Sequence, residues 1–159
     1  TATTEIYTLS LLDSLPISKN DQASDAESFN PKSLQGIRIL IAEDEADTRD
    51  FLTLMLKQAG ATVIAVDSAI EALKAFMGST PDILVSDIGM PGMDGYQLMK
   101  QVRSLYKNRS DQQMPAIALT AYAGESDFHK AIAAGFSQHI CKPVEPDRLI
   151  TAILDLVNR

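Results

Sequence analysis

The chain has 159 residues, 45% of them apolar, and a formal net charge of −7. That suits one packed domain plus an appendage, and it argues against direct nucleic-acid binding, which needs clustered Lys and Arg to neutralise phosphates. No apolar run approaches the roughly 20 residues that span a bilayer and no signal-peptide pattern opens the chain, while the single cysteine, Cys141, excludes an internal disulfide and suits a reducing compartment, so the expectation is a cytoplasmic protein with no membrane contact by this segment.

Residues 1–35 differ from the rest. They carry five acids against two bases, and Ser14 to Gln35 is rich in Ser, Asn, Asp and Pro, a linker composition. Ile6, Leu9, Leu11, Leu12, Leu15 and Ile17 add apolar character near the start, enough for a short strand or helix, although a tether is the favoured reading. The first residue is Thr rather than Met, which fits a piece of a longer chain.

From Gly36 the pattern becomes regular. Ile37 to Ala42 is almost continuously apolar, as a strand covered on both faces should be. Acids follow, then Phe51, Leu54, Met55 and Gln58 at helical spacing, closed by Gly60 as the residue after the helix. Thr62 to Val66 reads as a second strand. Ser68-x-x-Glu71 is a capping box opening a helix with Ala72, Leu73 and Phe76 on one face, stopped by Gly78. Ile83 to Ser86 is the third strand, and a helix from Gly95 turns Leu98, Met99, Val102 and Leu105 inward. A polar loop over 107–113 precedes the fourth strand, Ala116 to Leu119. A helix from Ser126 ends before Gly135, and the half-polar Gln138 to Cys141 reads as an edge strand. Pro146 sits at the first position of the last helix, whose buried side carries Leu149, Ile150, Ile153 and Val157. Five strand–helix pairs in strict alternation predict an α/β fold: a parallel sheet, helices on both faces, right-handed crossovers.

In such sheets ligands sit beyond the carboxyl ends of the strands. Those ends carry Glu43, Asp44 and Glu45 after strand one, Asp87 after strand three, Thr120 after strand four and Lys142-Pro143 after strand five. Each has a structural explanation alone: Glu43 to Asp47 would suit a helix N-terminus, Asp87 a turn, Lys142 a solvated surface and Thr120 a strand-end hydroxyl. Together they place several carboxylates, a hydroxyl and an ammonium on one rim. Crowded carboxylates need a proton or a cation. Mg²⁺ takes one or two carboxylates and leaves room for phosphate oxygens, and Lys142 adds a point charge for them. The rim reads as a place where a phosphoryl group is received.

Gly36 to Arg159 resembles a response-regulator receiver domain. The motifs that carry the resemblance are Ile39-Leu-Ile-Ala-Glu-Asp-Glu45, Ser86-Asp-Ile-Gly-Met-Pro-Gly-Met-Asp-Gly95, Ala118-Leu-Thr-Ala121 and Cys141-Lys-Pro-Val144. The resemblance implies a flavodoxin-like doubly wound fold with strand order 2-1-3-4-5. It implies Asp87 as the phosphoacceptor, Asp44 as a direct Mg²⁺ ligand, Glu43 as its neighbour acting through water, and Gly89 as a backbone-carbonyl ligand. Thr120 and Lys142 match the groups that bind phosphoryl oxygens, and Lys142–Pro143 matches a cis bond. Mg²⁺ is the implied cofactor, with Mn²⁺ as a substitute. Implied partners are a histidine kinase or a histidine phosphotransfer protein, with homodimerisation through the fourth helix, fifth strand and fifth helix as a further option. Such a module accepts and loses a phosphoryl group rather than turning over substrate.

Three positions depart from the family pattern. Glu43 stands where Asp is commoner. Gly89 has no side chain where relatives use one to control water access. His139, with Thr120 part of the implied switch, replaces a larger aromatic ring. His129 reads as a helix-surface residue and Cys141 as core. The favoured placement is the C-terminal receiver of a hybrid sensor kinase in a bacterial cytoplasm, with residues 1–35 as the linker or the end of the kinase portion, over a stand-alone regulator. Two other classes are weaker. A pseudo-receiver that only binds partners would not need the full acceptor, metal, Thr and Lys set. A haloacid-dehalogenase-type phosphatase wants D-x-D-x-T after its first strand, where this chain reads Glu43-Asp-Glu-Ala-Asp47.

Overall fold

The computed structural model describes residues 33–106, 113–122 and 124–158; the tether expected before residue 33 and most of the polar loop expected over 107–113 lie outside them. Among the described residues, strands β1 (Arg38–Ala42), β2 (Thr62–Val66), β3 (Ile83–Asp87), β4 (Ala116–Thr120) and β5 (Gln138–Cys141) alternate with helices α1 (Ala46–Gln58), α2 (Ala69–Gly78), α3 (Gly95–Tyr106), α4 (Glu125–Ala134) and α5 (Pro146–Val157). The strands form one sheet of order β2-β1-β3-β4-β5, and every pairing is parallel. The α/β fold expected from the alternation is the one observed.

The continuous apolar runs follow from the pleat. Successive side chains point to opposite faces of a strand, so Ile39, Ile41, Ile83, Val85, Ile117 and Leu119 enter one core with α1 and α5. Leu40, Ala42, Leu84, Ala116 and Ala118 enter the other with α2, α3 and α4. A strand covered on both faces has no solvent side to make polar. Leu34, upstream of β1, is fully buried in the first core, and its N–H donates to the Ala59 carbonyl at 2.8 Å.

Local signals set the helix ends. Gly60 takes a φ of +100°. Its N–H donates to the Lys57 carbonyl while that of Ala61 reaches Leu56, the paired bonds of a Schellman turn. Ser68 Oγ accepts from the Glu71 N–H at 3.2 Å, as the capping box requires. α4 stops at Gly135, φ +116°, and Pro146 opens α5.

Two facing expectations change. α1 buries Leu52, Met55 and Leu56, whereas Phe51 and Leu54 are 46% and 59% exposed. Both sets fit the helical period; the helix is apolar over a wider arc than the sheet covers, and the Gly60 turn with the Leu34 contact fixes which part faces inward. Leu105, in the last turn of α3, is 37% exposed while Leu98, Met99 and Val102 are buried. Cys141 is half-buried rather than core, and β5 lies at the sheet edge as expected.

The register levels the strand ends. Ala42 pairs with Val66 and Ser86, Asp87 with Leu119, and Thr120 with Cys141. The residues that follow therefore emerge on one rim.

Candidate phosphoacceptor site

Asp87 closes the fully buried strand β3. Its Oδ1 accepts from the Gly89 N–H at 3.2 Å, and its Oδ2 lies 3.2 Å from the Lys142 Nζ. The same ammonium is 2.9 Å from Glu43 Oε1. Glu43 is completely buried, and its Oε2 accepts from the Glu45 N–H at 3.2 Å. Asp44, next in the chain, is exposed. Carboxylate oxygens of Glu43, Asp44 and Asp87 all lie within 4.8 Å of one another. Three strand ends, those of β1, β3 and β5, thus deliver three acids and one cation to one place.

The charges do not balance. Burial pushes the Glu43 carboxyl up to about 7; the Lys142 ammonium opposes that rise and the Asp87 carboxylate adds to it. For Lys142, burial works against the ammonium, but Glu43 and Asp87 outweigh it and its pKa is raised. Glu43 Oε1 is fully enclosed, with the Lys142 ammonium 2.9 Å away facing it and no other donor satisfying it. An under-satisfied buried oxygen among oxygen donors fits a hard divalent cation, which would neutralise what Lys142 alone leaves over.

Thr120 is buried at the end of β4, and its hydroxyl donates to the Tyr122 carbonyl at 2.6 Å. His139 is half-buried, with its ring 5.0 Å from that of Phe128 on α4. His129 lies on the α4 surface, 3.8 Å from Glu125. Lys142–Pro143 is a cis bond. Gly89 is exposed, and a Cβ there would meet nothing within 4 Å.

Two residues of the site were not singled out by sequence reasoning. Gly95 was read only as a helix start, yet a Cβ there would lie 2.4 Å from the Asp87 carbonyl oxygen, and its N–H donates to Ile88 at 2.9 Å. Gly95 therefore lets α3 close against the acceptor loop; the Asp-Gly pair before a helical pattern was its only signal. Arg49 on α1 donates to the Glu43 carbonyl at 3.0 Å.

The fold and the rim together define a doubly wound α/β domain with an acidic, lysine-bridged pocket at the carboxyl ends of its central strands. The chain belongs to the response regulator receiver domain family, whose model matches residues 39–154. An uncharacterized 14.6 kDa protein of Leptolyngbya boryana is 43% identical over 122 residues, 77% of this chain and 91% of that protein. Hybrid signal transduction histidine kinase D of Dictyostelium discoideum is 34% identical over 82% of this chain, which spans only 9% of that kinase. Among solved structures, the receiver domain of the sensor histidine kinase PA1611 of Pseudomonas aeruginosa, with a magnesium ion coordinated in its active site cleft, superposes with a TM-score of 0.70 at 26% identity, covering 78% of this chain and 99% of that one. The chain is a receiver domain of two-component signalling.

Proposed function

We propose that Asp87 accepts a phosphoryl group from the phosphohistidine of a histidine kinase or histidine phosphotransfer protein. A carboxylate oxygen of Asp87 attacks phosphorus, the P–N bond breaks, its electron pair leaves with the imidazole nitrogen, and an acyl phosphate remains. The observation that carries this reading is the Lys142 ammonium held between Glu43 and Asp87 at 2.9 and 3.2 Å. A group so placed already marks where phosphoryl oxygens would lie.

Asp44, Asp87 and the Gly89 carbonyl are the proposed Mg²⁺ ligands, with Glu43 acting through water; Mn²⁺ would substitute. The cation would supply positive charge to the phosphoryl oxygens and relieve carboxylate repulsion. Thr120 has one proton to donate and gives it to Tyr122. To reach a phosphoryl oxygen it must release that carbonyl, which frees the segment leading into α4. The α4–β5–α5 face, including His139, would thereby change its partner preference or its self-association.

Phe51, Leu54 and Met55 on α1 and Pro146 and Ile150 on α5 line an apolar groove of about 360 Å³. α1 starts just after Asp44 and α5 just after Val144, so the groove lies between the two helices that open beside the pocket and suits a docked phosphohistidine donor. Phe51→Ser should slow transfer from such a donor several-fold and leave labelling by acetyl phosphate unchanged.

We place the domain in the cytoplasmic part of a hybrid sensor kinase, with residues 1–35 as linker. Among the described residues no helix is long and apolar enough to cross a membrane. Incubation with acetyl phosphate and Mg²⁺ followed by intact mass tests the central reading. One phosphoryl adduct on the wild type, absent from Asp87→Asn, is expected; a folded wild type without an adduct would leave a protein-binding module instead.

A further inference from the structure

We propose that Arg49 is a positioning residue that clamps the backbone bearing the metal-binding acids. This rests on the reading of Glu43, Asp44 and Asp87 as a Mg²⁺ site.

Glu43 and Asp44 lie in the three-residue passage between β1 and α1. The Glu43 side chain is fixed by burial and by Lys142, whereas Asp44 is exposed, so its carboxylate is aimed mainly by its backbone. The N-cap residue, Glu45, makes no side-chain cap bond; its N–H instead goes to Glu43 Oε2. A further hold on this passage, beside the Glu43 N–H donated to the Val66 carbonyl at 3.1 Å, is Arg49, one turn into α1. Its Nη1 donates to the Glu43 carbonyl at 3.0 Å and reaches the Asp44 carbonyl at 3.5 Å, a longer and weaker contact. One guanidinium nitrogen thus reaches two consecutive carbonyls from the helix that follows them. Asp67 and Glu71 line the small cavity, about 290 Å³, that Arg49 also lines, so two acids share the surroundings of the guanidinium.

Outer residues that orient metal ligands typically change affinity by about 10- to 100-fold when removed. The guanidinium nitrogen sits at the end of a rigid planar group; an ammonium on a shorter, flexible stem supplies the charge without that fixed reach. The two roles therefore separate by substitution.

The test is Mg²⁺ titration of the full 159-residue chain by calorimetry, with thermal unfolding in parallel, for wild type, Arg49→Ala and Arg49→Lys. The clamp predicts about a tenfold weaker Mg²⁺ constant in Arg49→Ala, less than half recovered in Arg49→Lys, with a Tm near that of the wild type. With acetyl phosphate, the half-saturating Mg²⁺ concentration should rise while the saturated labelling rate is kept. An unchanged constant in Arg49→Ala, or full recovery in Arg49→Lys, overturns the clamp while the Mg²⁺ site stands. A Tm collapse in both variants with the constant of the folded fraction unchanged overturns it too, leaving Arg49 a stability residue. Absence of Mg²⁺ binding by the wild type overturns the site reading and the clamp together.

Discussion

At the amino-terminal end of the sheet, Arg38 meets Asp82 through its Nε and Nη2 at 3.3 and 3.2 Å and Thr80 through Nη1 at 2.8 Å. Nearby, Arg103 donates to the Gly135 carbonyl at 2.6 and 3.1 Å and to the Met114 carbonyl at 2.6 Å. At the carboxyl-terminal end, one ammonium faces the Glu43 and Asp87 carboxylates, with Asp44 alongside. The first end matches each cation to its acceptors and closes; the second collects more negative charge than Lys142 can balance, in a place where burial makes imbalance costly. The same side-chain types tie segments together in one case and hold a binding capacity open in the other. Substitutions should divide accordingly, into those that change stability without chemistry and those that change chemistry with little loss of stability.

The largest effect expected is at Asp87. Asp87→Asn should abolish the phosphoryl adduct while the Tm holds or rises, because one crowded carboxylate is gone. A large loss of Tm would erase the distinction between the two ends. Next comes Arg103→Ala, which leaves the Gly135 and Met114 carbonyls without this donor and should destabilise the chain by roughly 2 kcal/mol in denaturant unfolding, while acetyl phosphate labels the folded protein at the wild-type rate.

The pH dependence at Glu43 is of similar size and belongs to the open end alone. Folded Glu43 keeps its proton up to about 7, against an ordinary value of 4.5. Between those values the folded state binds more protons than the unfolded state, so metal-free stability falls as pH rises, by roughly 2 to 3 kcal/mol over the window. Mg²⁺ competes with that proton, so its apparent affinity should climb by up to about tenfold per pH unit and level off above pH 7. Calorimetric Mg²⁺ titrations across pH 5.5 to 8.5 that gave a flat constant would remove Glu43 from the site's charge balance. The smallest effect is Arg38→Ala. Both partners of its ion pair with Asp82 are substantially exposed, and such pairs are worth about 0 to 1 kcal/mol. A greater loss in denaturant unfolding would mean that the closed end stores more energy than its exposure allows.

Much of this was legible before any coordinates. Thr62–Val66 and Gln138–Cys141 have the bounds expected of them, because apolar runs closed by turn residues leave little choice. Glu43, Asp44, Asp87, Thr120 and Lys142 could be gathered on one rim because a parallel sheet exposes all its strand ends together. Contacts that no periodicity encodes stayed hidden. The rotation of α1 was one, since two overlapping apolar stripes fit one helix. The Arg103 clamp joins residues 11 and 32 positions apart, and an arginine on an amphipathic helix looks the same in sequence whether it meets solvent or a carbonyl. Gly95 was visible as a glycine, but not the 2.4 Å approach that requires it.

Leu34 bears on where this domain can be cut. The family match begins at residue 39, yet Leu34 is wholly enclosed with Ile39, Leu56 and Ile153 and tied to the end of α1. A recombinant fragment trimmed to the match would start life with a leucine-sized hole beneath its first helix, a defect worth about 2 to 5 kcal/mol in comparable interiors. Scissors belong upstream of Ser33.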